Sequence, residues 1–222
     1  MSGDGLDAVL DALEAGADRA EQSTRSSAGT ALVVSCSMYQ CGHGGPLWPA
    51  DGSWRVVGVD TLGNQTRRRA DGDRVLDRDI AGLTAVHDVD AVLVVGHTDC
   101  TVLADAYERS VSSGVSAPVT PETRLAPLVS LAADADGPVD ASTPLRTARH
   151  LLVECNVLRQ VAFLRRTLPA SVTVAGYVHD QDGAYRSFPD QRYLVALDDV
   201  TEPAAIRERL SDDSVQVGRL CP

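Results

Sequence analysis

Lysine is absent from the 222 residues, so all 20 basic side chains are arginine, set against 31 Asp and Glu. The formal net charge is −11. A surface of that sign repels nucleic acid and anionic membrane, whose phosphates need a basic patch. Long hydrophobic runs are missing as well: no apolar stretch approaches the roughly 20 residues that cross a bilayer. The chain starts with Ser2, Gly3 and Asp4 after its Met1, without the basic segment and apolar run of a signal peptide, so a soluble cytoplasmic protein is expected. The five cysteines (Cys36, Cys41, Cys100, Cys155, Cys221) are an odd set without disulfide-scaffold spacing. In a reducing compartment that pattern favours metal ligands and structural thiols over a disulfide framework. The Asn64-Gln65-Thr66 sequon carries little weight without a secretory signal. No internal repeat is present, and 44% hydrophobic residues are enough for one well-filled core. A single domain over 1–222 is expected.

An acidic, lysine-free composition is similar to that of proteins from salt-accumulating haloarchaea, where concentrated salt screens the mutual repulsion. An ordinary acidic protein from a high-GC organism has the same composition, so a halophilic origin is one of two readings.

What is present is an alternation of strand and helix patterns. Leu6, Val9, Leu10 and Leu13 fall at helical spacing within residues 4–22 and predict an amphipathic N-terminal arm. Ala31 to Ser35 is a short apolar run of the kind buried on both faces of a sheet, ending at Cys36. A Gly-, Pro- and Trp-rich loop covers 41–54, a second strand runs from Arg55 to Val59, and Gly63-Asn64 closes it. Residues 77–88 predict a helix with Ile80, Leu83, Ala85 and His87 on one side. A third strand, Ala91 to Val95, ends at Gly96-His97. Residues 110–144 are a surface excursion or helical padding with one helical patch at 125–133. The longest helix is expected over 146–167, then a strand over 172–178. Asp182-Gly183 reads as a hairpin turn leading into Ala184–Phe188. Strand, helix and strand in succession imply an α/β fold with a mainly parallel central sheet flanked by helices.

Two apolar strands each deliver a soft ligand at the carboxyl end, Cys36 and His97, and Cys100 follows three residues later. Ligands in open α/β sheets gather at those strand ends. Thiolate and imidazole suit zinc rather than calcium or magnesium. His-x-x-Cys alone is a weak signal, since a Cys is often a small buried hydrophobe and a His an ordinary hydrogen-bonded core residue. Cys36 at the matching strand end strengthens the metal reading.

The run Ala31 to Cys36, followed by Gly96-His97-Thr98-Asp99-Cys100, resembles the β-class carbonic anhydrase pattern. In that family a first Cys closes a buried strand, and Gly-His-x-x-Cys follows downstream. Gly63-Asn64, the segment Glu154-Cys155-Asn156-Val157 with Gln160-Val161, and Val174 to Asp180 are similar to further family motifs, in order, over roughly residues 28–188. The resemblance implies one zinc ion on Cys36, His97 and Cys100, reversible hydration of carbon dioxide to bicarbonate by zinc-bound hydroxide, and a homodimer or higher homo-oligomer. It also implies that the N-terminal helix lies across the partner.

The sequence departs from the family where a catalytic Asp and its Arg follow the first Cys. Met38 and Gln40 occupy those positions and supply neither a proton carrier nor an ion pair. Asp60, Asp99 and Gln40 are candidate substitutes. Three readings stay open: a carbonic anhydrase, a related zinc hydrolase or lyase acting on carbon disulfide or carbonyl sulfide in a less polar pocket around Met38 and Leu62, and a non-catalytic zinc protein. In the last, Cys41 or His43 takes the fourth position that water otherwise fills. A redox pair of Cys36 with Cys41 matches no thioredoxin-like spacing and leaves His97 unused.

Overall fold

The computed structural model describes residues 29–39, 54–70, 72–112, 124–185, 188–210 and 215–221. The expected arm over 4–22 and the 41–53 part of the loop lie outside them.

Apolar, β-branched runs build the centre. Strands β1 (Gly29–Cys36), β2 (Trp54–Thr61), β5 (Ala91–His97), β6 (Thr173–Asp180) and β7 (Gln191–Leu197) form one sheet in the order β2-β1-β5-β6-β7. The first four are mutually parallel and β7 runs antiparallel to β6. β1 and β5 are buried almost end to end, as strands covered on both faces should be. Leu32, Val34, Cys36, Val92, Val94 and Val174 point to one face, where helices α2 (Thr101–Val111), α3 (Ala126–Ala132) and α4 (Leu145–Thr167) cover them. Ala31, Val33, Leu93, Val95 and Ala175 point to the other, toward Ile206 of α5 (Pro203–Arg209) and toward Val215 and Val217. No helix among the described residues is long and apolar enough to cross a membrane.

Helix α4 sets the geometry of the upper sheet. Val153, Val157 and Val161 recur every four residues and form one ridge. That ridge meets Gly96 of β5 and Gly176 of β6, and an added Cβ would lie 2.8 Å from Val157 at the first and 2.7 Å from Val157 at the second. The absence of a side chain at these two positions lets the helix descend onto the strands. The same helix buries polar groups. Asn156 Nδ2 donates to Gly63 O (2.8 Å) and to Asn64 Oδ1, while Gln65 Nε2 and Gln160 Nε2 each donate to Asn156 Oδ1 (3.0 Å). Gln160 Oε1 accepts from Thr66 N (3.1 Å) and Thr66 Oγ1 (2.8 Å). Glu154, fully buried, accepts from Tyr185 Oη (2.5 Å), Leu220 N (2.7 Å) and Cys221 N (2.7 Å), fastening the end of the chain to α4. Most buried polar atoms in this set therefore have a partner to offset their desolvation, Gln65 Oε1 being the exception.

Two expectations need correction, and one hairpin was not foreseen. Ala184–Phe188 is not the return strand. The Asp180 carboxylate accepts from Ala184 N and Tyr185 N (both 2.8 Å), which turns the chain into bends, and pairing with β6 resumes only at Gln191. Residues 67–76 form a hairpin, β3 (Arg67–Ala70) against β4 (Asp73–Leu76), whose polar strands carry no apolar alternation to betray them. The helix expected over 77–88 is α1 (Arg78–Val86), capped by Asp77; Ile80 is buried, but Ala85 is exposed rather than on the packed side.

Gly176→Ala should lower stability by about 1–3 kcal/mol through overpacking. In chemical denaturation the double variant with Val157→Ala should be less destabilised than the sum of the single changes. An unchanged midpoint for Gly176→Ala would contradict the close contact.

Candidate metal centre

Parallel pairing puts β1 beside β5, so Cys36 and His97 emerge at neighbouring carboxyl ends. Cys100 is the N-cap of α2, and its N–H donates back to His97 O (3.2 Å). The turn between them is pinned by Thr98, whose N–H donates to His179 O (3.0 Å) and whose hydroxyl accepts from Gln181 N (2.9 Å). All three side chains are buried. Their ligand atoms lie within 4.8 Å of one another, with the two sulfurs 3.9 Å apart. This trio, the one expected from the sequence, could hold a metal ion.

The imidazole is already oriented for that task. Its Nδ1 is bonded to Asp99 Oδ1, which fixes the tautomer, and its Nε2 is a buried atom without a hydrogen-bond partner. A ligating histidine typically donates its other N–H to a carboxylate in this way. The small space between the ligand atoms is lined by Gly63, Asn64, Gly96, Leu103 and Val153 besides the trio itself.

Without a metal, the two thiols share a proton unequally. The hydrogen bond from Cys100, together with His97 and the backbone N–H groups of Met38 (3.4 Å) and Gly63, outweighs burial and brings Cys36 down to about 4. The same bond and burial push Cys100 up, so the proton resides there. Burial alone would lower His97, but the Cys36 thiolate and the Asp99 carboxylate raise it. A divalent ion has to displace the proton on Cys100 and any on His97.

The other residues singled out by sequence fall in different places. Met38 gives only its backbone N–H to Cys36, and its side chain is 48% exposed. Neither Met38 nor Leu62 lines the space among the ligands. Asp60 accepts from Ser35 Oγ, and strand alternation puts Ser35 on the sheet face opposite Cys36, so Asp60 points away from the trio. Asp99 belongs to His97. Gln40, Cys41 and His43 lie outside the described residues.

Sequence reading missed Tyr39 and His179. The Tyr39 ring packs against His97 at 5.1 Å between centroids and edge-on to His179 at 5.6 Å. Tyr39 Oη is 2.7 Å from His179 Nδ1, and His179 Nε2 is 3.7 Å from Asp190 Oδ1. Burial, then Arg192, lowers His179, which favours the neutral ring, with Nδ1 accepting from the Tyr39 hydroxyl. The signal was available: His97 and His179 are register partners once β5 and β6 are known to be neighbours.

No protein-family model matches the sequence, and no curated protein is significantly similar to it. Solved structures are similar in fold. The chain matches a β-carbonic anhydrase from Coccomyxa, solved in complex with acetazolamide, over 85% of its own length and 81% of that chain, with a TM-score of 0.53 and 16% identity. It matches a variant of the β-carbonic anhydrase CafD from Aspergillus fumigatus over 84% and 96%, with a TM-score of 0.51 and 19% identity. One of two tetrameric β-carbonic anhydrases from Sordaria macrospora matches over 70% and 77%, with a TM-score of 0.50 and 19% identity. The fold is that of the β-carbonic anhydrases.

Metal titration, with zinc as the probe, should give tighter binding at pH 8 than at pH 6, because protons on Cys100 and His97 compete with the ion. Asp99→Asn should weaken zinc about 10–100-fold with the fold retained. Affinity independent of pH would contradict the shared-proton description.

Proposed function

We propose that this chain is a divergent β-class carbonic anhydrase: a single domain that binds one zinc ion through Cys36, His97 and Cys100 and hydrates carbon dioxide reversibly to bicarbonate. The observation that carries the reading is the buried trio itself: the ligand atoms of Cys36, His97 and Cys100 lie within 4.8 Å of one another, with the two sulfurs 3.9 Å apart. Tetrahedral zinc, with Zn–S of about 2.3 Å, sets two thiolates about 3.8 Å apart. Two thiolates and one imidazole on a β-carbonic anhydrase fold are the donor set the resemblance implies.

Zinc, when bound, supplies a Lewis acid that lowers the pKa of a water molecule. The chain supplies the rest. Cys36 and Cys100 contribute negative charge, which opposes that acidification and makes a proton-handling neighbour useful. Asp99 holds the imidazole in one tautomer. In this reading Tyr39 and His179 stand in for the pair lost at Met38 and Gln40. The Tyr39 hydroxyl donates to His179 Nδ1 and accepts in turn from a donor at the site, and His179 Nε2 leads toward Asp190. A homodimer or higher oligomer accompanies the proposal, as in the tetrameric fungal structures.

Stopped-flow carbon dioxide hydration by zinc-loaded protein, at high salt and across pH, tests this. Turnover well above that of free zinc should vanish in Cys36→Ala. It should fall about 100-fold in Tyr39→Phe while one zinc per chain remains bound. Turnover of carbonyl sulfide or carbon disulfide without turnover of carbon dioxide would replace the assignment with that of a related lyase. Full zinc occupancy without any turnover would leave a binding protein.

A further inference from the structure

The acidic total conceals a local excess of the opposite sign. β3 is built from Arg67, Arg68, Arg69 and Ala70, and the antiparallel register sets Arg69 directly against Arg74 of β4. Like charges directly opposite on a ladder repel and destabilise the pair. All four arginines line one cavity of about 250 Å³, closed on the far side by Ala126, Pro127 and Ser130 of α3. Elsewhere arginines find carboxylates: Arg109 with Asp105, Arg149 with Asp182, Arg159 with Asp134, Arg165 with Asp198 and Arg209 with Asp199. Among the described residues no carboxylate pairs with any of the four.

Two of them also keep a donor out of water. Arg67 Nε and Arg68 Nε are buried atoms without an acceptor. The Arg67 guanidinium lies over the Phe163 ring, 5.9 Å from its centre, and a ring accepts no conventional hydrogen bond. Burial, with Arg74, Arg159 and Arg166 nearby, lowers Arg67 to about 10. Clustered, partly desolvated guanidinium groups with unused donors are costly on their own. A cluster that no carboxylate among the described residues answers is suited to an anion from outside.

We propose that this cavity between the β3–β4 hairpin and α3 is a binding site for a phosphoryl dianion carried by a small molecule. The charge favours a multivalent ligand, since a single carboxylate or bicarbonate would offset only one of four positive charges. Shape agrees: a phosphoryl group offers three oxygens, and guanidinium forks bind such oxygens in bidentate fashion from several directions. The cavity lies below the roughly 300–1,000 Å³ typical of drug-sized ligands, so it suits inorganic phosphate, pyrophosphate or a small phosphomonoester. The site is separate from the metal centre: its arginines come from the hairpin that follows the Gly63–Thr66 turn, and none lines the space around Cys36, His97 and Cys100.

The test is calorimetric titration of the 222-residue chain with phosphate, pyrophosphate and glycerol phosphate, with acetate and chloride as controls. At least one phosphoryl probe should bind with 1:1 stoichiometry. Arg68→Gln and Arg74→Gln should each weaken binding about tenfold or more, as loss of a charge-assisted hydrogen bond does. Ser130→Ala, at the cavity wall, should keep most of the affinity, and circular dichroism should report an unchanged fold in every variant. Tighter binding of pyrophosphate than of glycerol phosphate identifies the inorganic anion as the occupant, and the reverse order identifies an organic monoester. No saturable binding, equal binding of acetate, or unchanged affinity in both arginine variants would overturn the proposal. So would dissociation of an oligomer in the arginine variants, because the guanidinium groups would then be paired across copies of the chain.

Discussion

The contact between helix α4 and strands β5 and β6 constrains everything around the candidate metal centre. Gly96 and Gly176 allow Val157 to sit where a side chain would otherwise be, and at that depth Asn156 and Gln160 reach the Gly63–Thr66 turn. The turn is an uncomfortable one, with Gly63 at φ 62° and Asn64 at φ 47° in succession. Its left-handed backbone is tolerable because glycine and asparagine adopt it readily and because the amide network from α4 holds it. Its position in turn presents the Gly63 N–H to the Cys36 sulfur. Packing of apolar side chains and hydrogen bonding of polar ones thus converge on one sulfur atom.

The centre itself is a buried concentration of negative charge. Thiolate at Cys36, a proton held on Cys100 and a carboxylate behind His97 make a site that gains from a divalent cation. Burial keeps water from screening it. The departures from the pattern that the sequence resembles lie beside the trio rather than within it. Met38 faces solvent, Asp60 lies across the sheet, and the Tyr39 ring packs on His97 while its hydroxyl meets His179 from another strand end. The arginine-lined cavity repeats the principle with the signs reversed: donors are gathered and desolvated where no carboxylate among the described residues answers them.

Much of this was legible in the sequence. Buried parallel strands advertise themselves as short apolar runs, so β1, β5 and β6, with Cys36 and His97 at two of their ends, could be placed directly, as could the long helix α4. The β3–β4 hairpin could not, because Arg67 to Leu76 lacks apolar alternation and its pairing rests on a turn. The return strand was misplaced because Asp182-Gly183 mimics a hairpin turn, whereas the chain is steered by the buried Asp180 carboxylate. Tyr39 and His179 are 140 residues apart, and only the strand order brings them together. Net charge is silent on such detail, since a total of −11 says nothing about where 20 arginines lie.

The most direct test of the account is X-ray absorption at the zinc edge of the zinc-loaded protein. Coordination by Cys36, His97 and Cys100 predicts two sulfur neighbours at about 2.3 Å and two lighter ones, nitrogen and oxygen, at about 2.0–2.1 Å. Three or more sulfur neighbours, or none, would contradict it.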